Sequence, residues 1–245
     1  HTTQKPKMSS RGRSMVRSKR ARSSSRSIAM VSRSRSRSRT TGLTRKWPYA
    51  SSGMGMLWDP FLVKARALLR YSQVITLTSS IGLTDLNIFR AASIYDPDFS
   101  GVGHQPYGHD TYQTIYNHYM VDKATITMTP VITGSSQIFG ISLTDDSTVQ
   151  GDYDTVRETK GTRVGISVGT GPRETLTKVY DRKQNFNNAS DKPLSANFGA
   201  SPAEDMYFHC WAEAPTSTTG ATTVSYLITI SYIVDMWELK DLGQS

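Results

Sequence analysis

Val224-Ser225-Tyr226-Leu227-Ile228-Thr229-Ile230-Ser231-Tyr232-Ile233-Val234-Asp235-Met236 is the stretch from which the fold is read. Val224, Tyr226, Ile228, Ile230, Tyr232, Val234 and Met236 fall on one face of an extended chain, and Ser225, Thr229, Ser231 and Asp235 on the other. Successive side chains of a strand point to opposite faces, so this alternation predicts a long, half-buried strand over 224–236. Working back along the chain, 120–129 repeats the pattern, with Ala124, Ile126 and Met128 against Lys123, Thr125, Thr127 and Thr129, and Pro130 is expected to end it. Residues 137–144 place Phe139, Ile141 and Leu143 together.

Weaker alternation marks 73–79, 85–94, 163–168, 174–181 and 206–213, for eight strands in all. A helix is expected over 109–118, and a short one from Asp59 (N-cap) and Pro60 through Leu69. Uneven, turn-rich connections at Asp145-Asp146-Ser147, Gly169-Thr170-Gly171-Pro172 and 185–193 favour a Greek-key arrangement over an up-and-down barrel. The fold class expected is all-β: an eight-stranded antiparallel jelly-roll sandwich behind a disordered basic N-terminal arm.

The arm is set apart by charge. The chain of 245 residues has a net charge of +9, yet residues 1–46 hold fifteen Lys or Arg and no acid. Residues from Trp47 onward therefore carry fourteen basic residues against all twenty acidic ones. Ser32-Arg33-Ser34-Arg35-Ser36-Arg37-Ser38-Arg39 repeats one dipeptide four times. With almost no large apolar side chains, the segment cannot offset its ordering entropy and is expected to be disordered when free. The organisation expected is a 1–46 arm, a 47–70 linker containing the short helix, and a 71–245 domain.

Fifteen unopposed cations act on nucleic acid through phosphate charge and counterion release, without reading sequence. The nucleic-acid-binding residues expected are Lys5, Lys7, Arg11, Arg13, Arg17, Lys19, Arg20, Arg22, Arg26, Arg33, Arg35, Arg37, Arg39, Arg45 and Lys46. No aromatic residue precedes Trp47, so the arm lacks a stacking platform for bases. Arg17, Lys19, Arg20 and Arg22 form a short basic cluster of the kind read by nuclear import machinery. Phosphorylation of the interleaved serines would subtract charge and weaken nucleic-acid binding.

Other chemistry is sparse. Cys210 is the sole cysteine, which excludes an intrachain disulfide. No apolar run reaches the roughly eighteen residues of a membrane helix, no secretory signal is expected, and no membrane partner is expected. Histidines 1, 104, 109, 118 and 209 form no zinc-type pair with Cys210, so no metal and no cofactor are expected. Asp96 with Asp98, or Asp145 with Asp146, are weighed as calcium ligands between subunits and read instead as turn residues. No Gly-x-Ser-x-Gly elbow or phosphate-binding loop accompanies His104-Gln105-Pro106, so no catalytic residue is assigned and an enzyme is not expected. Asn188-Ala189-Ser190 is a formal glycosylation sequon read as chance. Loops near 79–84, 145–160 and 183–204 are the expected outward-facing ones.

Phe89-Arg90-Ala91-Ala92-Ser93-Ile94-Tyr95-Asp96-Pro97-Asp98, Gly101-Val102-Gly103-His104-Gln105-Pro106-Tyr107-Gly108-His109-Asp110 and Tyr116-Asn117-His118-Tyr119 together resemble the capsid proteins of small circular single-stranded DNA viruses, the circovirus-like group. The strand at 121–130 and Tyr207-Phe208-His209-Cys210-Trp211 before a long last strand agree with it. The resemblance spans about 71–237. It implies two four-stranded sheets in one jelly roll, a homo-oligomeric icosahedral shell of sixty copies around viral single-stranded DNA, and a place in the virion and, during assembly, the host nucleus. Sixty arms would supply about 900 cations, against roughly a thousand phosphates. The alternative is an Arg/Ser-tailed cellular RNA-binding protein, which calls for a Lys/Arg-Gly-Phe-type recognition strand absent from this sequence. A secreted lectin or cytokine leaves the arm unexplained.

Overall fold

The computed structural model describes residues 61–80, 84–131, 136–148, 153–169, 173–186, 191–215 and 220–241. The elements, in chain order, are β1 (Lys64–Ser79), β2 (Thr84–Arg90), α1 (His109–Ile115), β3 (Tyr116–Val131), β4 (Gln137–Thr144), α2 (Tyr153–Glu158), β5 (Arg163–Ser167), β6 (Leu176–Asp181), α3 (Arg182–Asn185), β7 (Ser195–Asn197), β8 (Tyr207–Glu213) and β9 (Thr222–Leu239).

They form two antiparallel sheets, one ordered β1-β9-β3-β6 with β7 added beside β3, the other β2-β8-β4-β5. The chain crosses repeatedly between sheets: β1, β3, β6 and β9 lie in the first, and β2, β4, β5 and β8 in the second. First and last strands end up as neighbours in the same sheet. That connectivity is a jelly roll.

β9 organises the first sheet. It pairs with β1 without a break from Lys64↔Trp237 to Ser79↔Thr222, and with β3 on its other side, where one bulge falls between Val121 and Lys123. All seven apolar residues of the 224–236 alternation are buried. They meet Leu69, Tyr71, Ile75 and Leu77 from β1, Ala124, Ile126 and Met128 from β3, and Phe139, Ile141, Phe208, Cys210 and Ala212 from the second sheet.

The eight expected strands are all present, with several boundaries moved and a ninth, three-residue β7 added. The helix expected to run from Asp59 through Leu69 is overturned over its second half, because β1 begins at Lys64. Ala65, Ala67 and Leu69 face the core while Lys64, Arg66, Leu68 and Arg70 are exposed, an alternation continuous with the rest of β1. Ala, Leu, Lys and Arg favour helix locally, but sixteen paired residues against β9 outweigh that preference. Residues 64–70, assigned to a linker, thus belong to the sheet; residues 47–60 lie outside the described ones.

The strand expected over 85–94 stops at Arg90, where the chain turns into a buried loop. Pro130 does not end β3, which continues to Val131. Pairing with β6 stops at Met128, so Pro130 sits where β3 has β9 as its one neighbour, a position that tolerates a missing N–H. The helix expected over 109–118 is the shorter α1, and residues 116–118 open β3 instead. Two short helices, α2 and α3, occupy stretches read as loops; the Asp181 carboxylate caps α3 by accepting from the N–H groups of Lys183 and Gln184.

The second sheet's other face is buried around Trp211 and open at β5, where Val164 and Ile166 are exposed. Trp211 is wholly buried there, opposite Gly140 in register. A Cβ at 140 would collide with the Trp211 indole and come within 2.8 Å of the Arg163 carbonyl oxygen. Gly140→Ala is therefore expected to destabilise the domain by about 1–3 kcal/mol, read as a lower Tm; an unchanged Tm would mean this packing is misassigned.

Candidate functional site

All fifteen expected nucleic-acid-binding residues, Lys5 through Lys46, and the import cluster Arg17, Lys19, Arg20 and Arg22 lie outside the described residues. The fourteen remaining basic residues all lie within them, and several arginines are committed to carboxylates. Arg66 holds Asp235 through two hydrogen bonds of 2.6 Å and reaches Asp122 at 3.1 Å. Arg182 sits between Asp122 and Asp191. Arg90 faces Asp205 at 3.5 Å, and Arg157 lies 3.7 Å from Glu213. With twenty acids against fourteen bases from Trp47 onward, this part of the chain is net acidic.

The residues of the Arg-Ala-x-x-Ile-Tyr-Asp-Pro and Gly-x-His-Gln-Pro pattern come together at one end of β2. Beyond Arg90 the chain doubles back, so that Arg90 N–H donates to Pro97 O at 2.8 Å and Phe99 N–H to Ile88 O at 3.0 Å. Residues 97–99 thereby cover the open edge of β2. The buried carboxylate of Asp205, which no sequence pattern singles out, fixes the turn by accepting from Ala92 N–H at 3.0 Å and Met206 N–H at 2.8 Å. Burial pushes its carboxyl above the usual range, opposed by those two donors and by Arg90. Ser93 and Tyr119 share a hydrogen bond of 3.0 Å, and the Tyr119 hydroxyl donates to Ala200 O at 2.7 Å. Burial raises that phenol to about 12.

Asp98 is spent locally: one carboxylate oxygen accepts from both Ser100 N–H and Ser100 Oγ. Gly103 lies so close to Tyr71 and Asp98 that a Cβ would meet the Tyr71 hydroxyl at 2.7 Å and Asp98 Cβ at 2.8 Å. His104 stacks on Tyr71 with ring centroids 4.6 Å apart. His109 is fully buried, with Nδ1 3.0 Å from Asp110 Oδ1 and its ring beside Phe198. Asp96, His104, Gln105, Tyr107 and Asp110 line an open cleft of about 540 Å³. It brings no nucleophile beside a base, and among the described residues no group of three or more His, Cys, Asp or Glu is placed to hold a metal. The geometry is that of a braced loop.

Asp145 and Asp146 likewise serve the turn, with Asp146 accepting from Thr148 N–H at 2.7 Å. His209 and Cys210 face opposite sides of β8. Cys210 is in the inter-sheet core, where burial pushes its thiol far up, while His209 Nε2 lies 2.9 Å from Asp146 O. Burial lowers the His209 pKa below its ordinary 6.5, against the raising effect of Asp146. Among the described residues no helix is long and apolar enough to cross a membrane.

No protein-family profile matches the sequence, and no curated protein sequence does. Solved structures do. A chain of Desmodium yellow mottle tymovirus is 13% identical at a TM-score of 0.42, over 77% of this chain and 97% of that one. The BFDV capsid protein in its 60-mer is 13% identical at a TM-score of 0.43, over 76% and 100%. A chain of Cocksfoot mottle virus is 14% identical at a TM-score of 0.43, over 70% and 96%.

Removing the Asp205 carboxylate should show its bracing role. Asp205→Ala is expected to cost about 3 kcal/mol, because two buried N–H groups and Arg90 lose their acceptor together. A denaturant midpoint equal to that of the parent would contradict it. His209 makes stability depend on pH. Its pKa is lower folded than unfolded, so below pH 6.5 the unfolded chain binds a proton that the folded chain resists. Its contribution is complete above pH 6.5 and fades as pH falls. His209→Gln is expected to flatten the fall in Tm between pH 7 and pH 5, measured side by side with the parent.

Proposed function

We propose that this chain is a viral coat protein whose jelly-roll domains associate into a closed shell around nucleic acid gathered by the arm. The carrying observation is the division of charge: fifteen cations and no acid in residues 1–46, and a net-acidic jelly roll in which Arg66, Arg90 and Arg182 are held by carboxylates. Lectins and cupins also use jelly rolls, but such a fold has no need of a polycationic leader. A shell does, since every copy must hold a share of a polyanion while the domains tile a surface. The antiparallel jelly roll also takes the place that the Arg/Ser-tailed RNA-binding alternative assigns to an RNA-recognition domain.

The finer parts of the reading follow from the arm and from the motif at 89–119. Lys5 through Lys46 neutralise phosphate without reading bases, which suits packaging of any copy of a genome. The circovirus-like motif favours circular single-stranded DNA and a sixty-copy shell. Arg17, Lys19, Arg20 and Arg22 suit import into the host nucleus during assembly. No step in this function calls for catalysis or a cofactor.

Expressed in full, the chain should sediment as uniform closed particles and co-purify with nucleic acid. Binding of single-stranded DNA should fall with salt along a log–log slope of about −10 if all fifteen cations engage. Deleting residues 1–46 should abolish that binding and leave a folded domain. A full chain that stays monomeric with single-stranded DNA at physiological salt would sink the coat reading. Retention of nucleic acid after the deletion would sink the arm's role.

A further inference from the structure

The second sheet has two unlike edges. At one, β5 and the residue after it expose Val164 (42%), Ile166 (57%) and Val168 (49%), alternate residues that form a single apolar ridge. The outward N–H of Ile166 already donates to the Glu174 carboxylate at 3.0 Å, so a neighbour arriving at this edge meets side chains and not an open backbone ladder. At the other edge, beyond β2, an open cavity of about 350 Å³ is lined by Leu86, Asn87, Ile88, Phe99, Ser100 and Ser147. With β8 and β4 between β2 and β5, roughly 14 Å of sheet separates the edge strands. Ridge and cavity therefore do not meet within one molecule.

Their surroundings carry opposite charge. The residues lining the cavity are flanked in sequence by Asp85, Asp98 and Asp146 and by no Lys or Arg. Arg90 at its rim is drawn to Asp205 and to the face of Phe99. Residues 160–174, around the ridge, contain Lys160, Arg163 and Arg173 against Glu174, whose carboxylate already accepts from Ile166 N–H. An apolar knob in a basic setting thus has its counterpart, an apolar recess in an acidic one, on the opposite side of the same sheet.

We infer that the β5 ridge of one copy seats in the β2-edge cavity of a second copy of this chain, with Arg163 and its basic neighbours facing the acidic loops. The inference rests on the coat reading and supplies one of its subunit contacts. Because the two patches differ, each copy gives one and receives one, so the contact propagates from copy to copy and closes a ring when the rotation allows. Charge complementarity fixes which edge meets which and disfavours ridge-to-ridge pairing, where bases would face bases.

Single-cysteine exchange tests it on the full chain. Native Cys210 is fully buried, so an introduced thiol reports alone. Ile166→Cys and Ser147→Cys chains, carrying tags of different length, are co-expressed, assembled and oxidised. A cross-linked species joining the two tags is expected, and is expected to be lost when Val74→Cys on the first sheet replaces Ser147→Cys. Particles that form without this species, or that link Ile166→Cys chains to one another as readily, overturn the contact while leaving the shell intact. If no assembly forms even with the unsubstituted chain, the coat reading itself falls.

Discussion

The pairing of β9 with both β1 and β3 is the constraint from which the other elements take their places. An eighteen-residue strand with one continuous apolar face cannot be solvated, and a shift of one residue against either neighbour would turn Tyr226, Ile228, Ile230 and Tyr232 outward. The register is therefore set by burial, and once set it fixes the rest. β1 is drawn out of any helix it would form alone, and β3 must bulge at 121–123 to keep Tyr119 and Ala124 both inward. The second sheet is left to cover what the first one buries.

What joins the sheets besides apolar contact is a small set of polar groups with every bond arranged. Gln137 of β4 donates to Thr222 O at 2.7 Å and Ser79 Oγ at 3.0 Å, and accepts from the Tyr226 hydroxyl at 2.9 Å. Tyr232 reaches across to Arg90 O at 2.8 Å. Inside a low-dielectric core such bonds discriminate among packings, because any slip leaves a buried group unpaired at a cost of about 1–3 kcal/mol each. Apolar burial alone tolerates a sliding sandwich; Gln137 and the tyrosine hydroxyls do not.

Period-two alternation made most of this readable from residues alone. The 137–144 strand was delimited to the residue, and the 224–236 strand proved longer at both ends. The reading failed where local preference and tertiary demand diverge. Ala65, Ala67 and Leu69 sit among helix formers, and only their continuity with Tyr71 and Ile75 betrays a strand. Ala91–Ile94 are as apolar as a strand end, yet they turn because Asp205, over a hundred residues away, supplies acceptors to the backbone there. No local pattern announces a carboxylate of that kind. The site's charge, by contrast, was legible at once as a count of Lys and Arg, since it depends on no geometry.

Separating the polycation from the sandwich puts two interactions under different control. The core and its polar links are buried and are hardly screened by salt, so the domain's fold is indifferent to ionic strength. On the proposed reading, attraction between arm and phosphate is driven chiefly by counterion release and would fall steeply with salt. Contacts between charged edges, partly exposed, fall between the two. A shell of the proposed kind would gather its cargo and associate at physiological salt, then loosen those bonds in order without unfolding any subunit. Had the same arginines been placed on the sheets, each would have met the carboxylates that already hold Arg66, Arg90 and Arg182, and the distinction between holding the fold and holding the cargo would be lost.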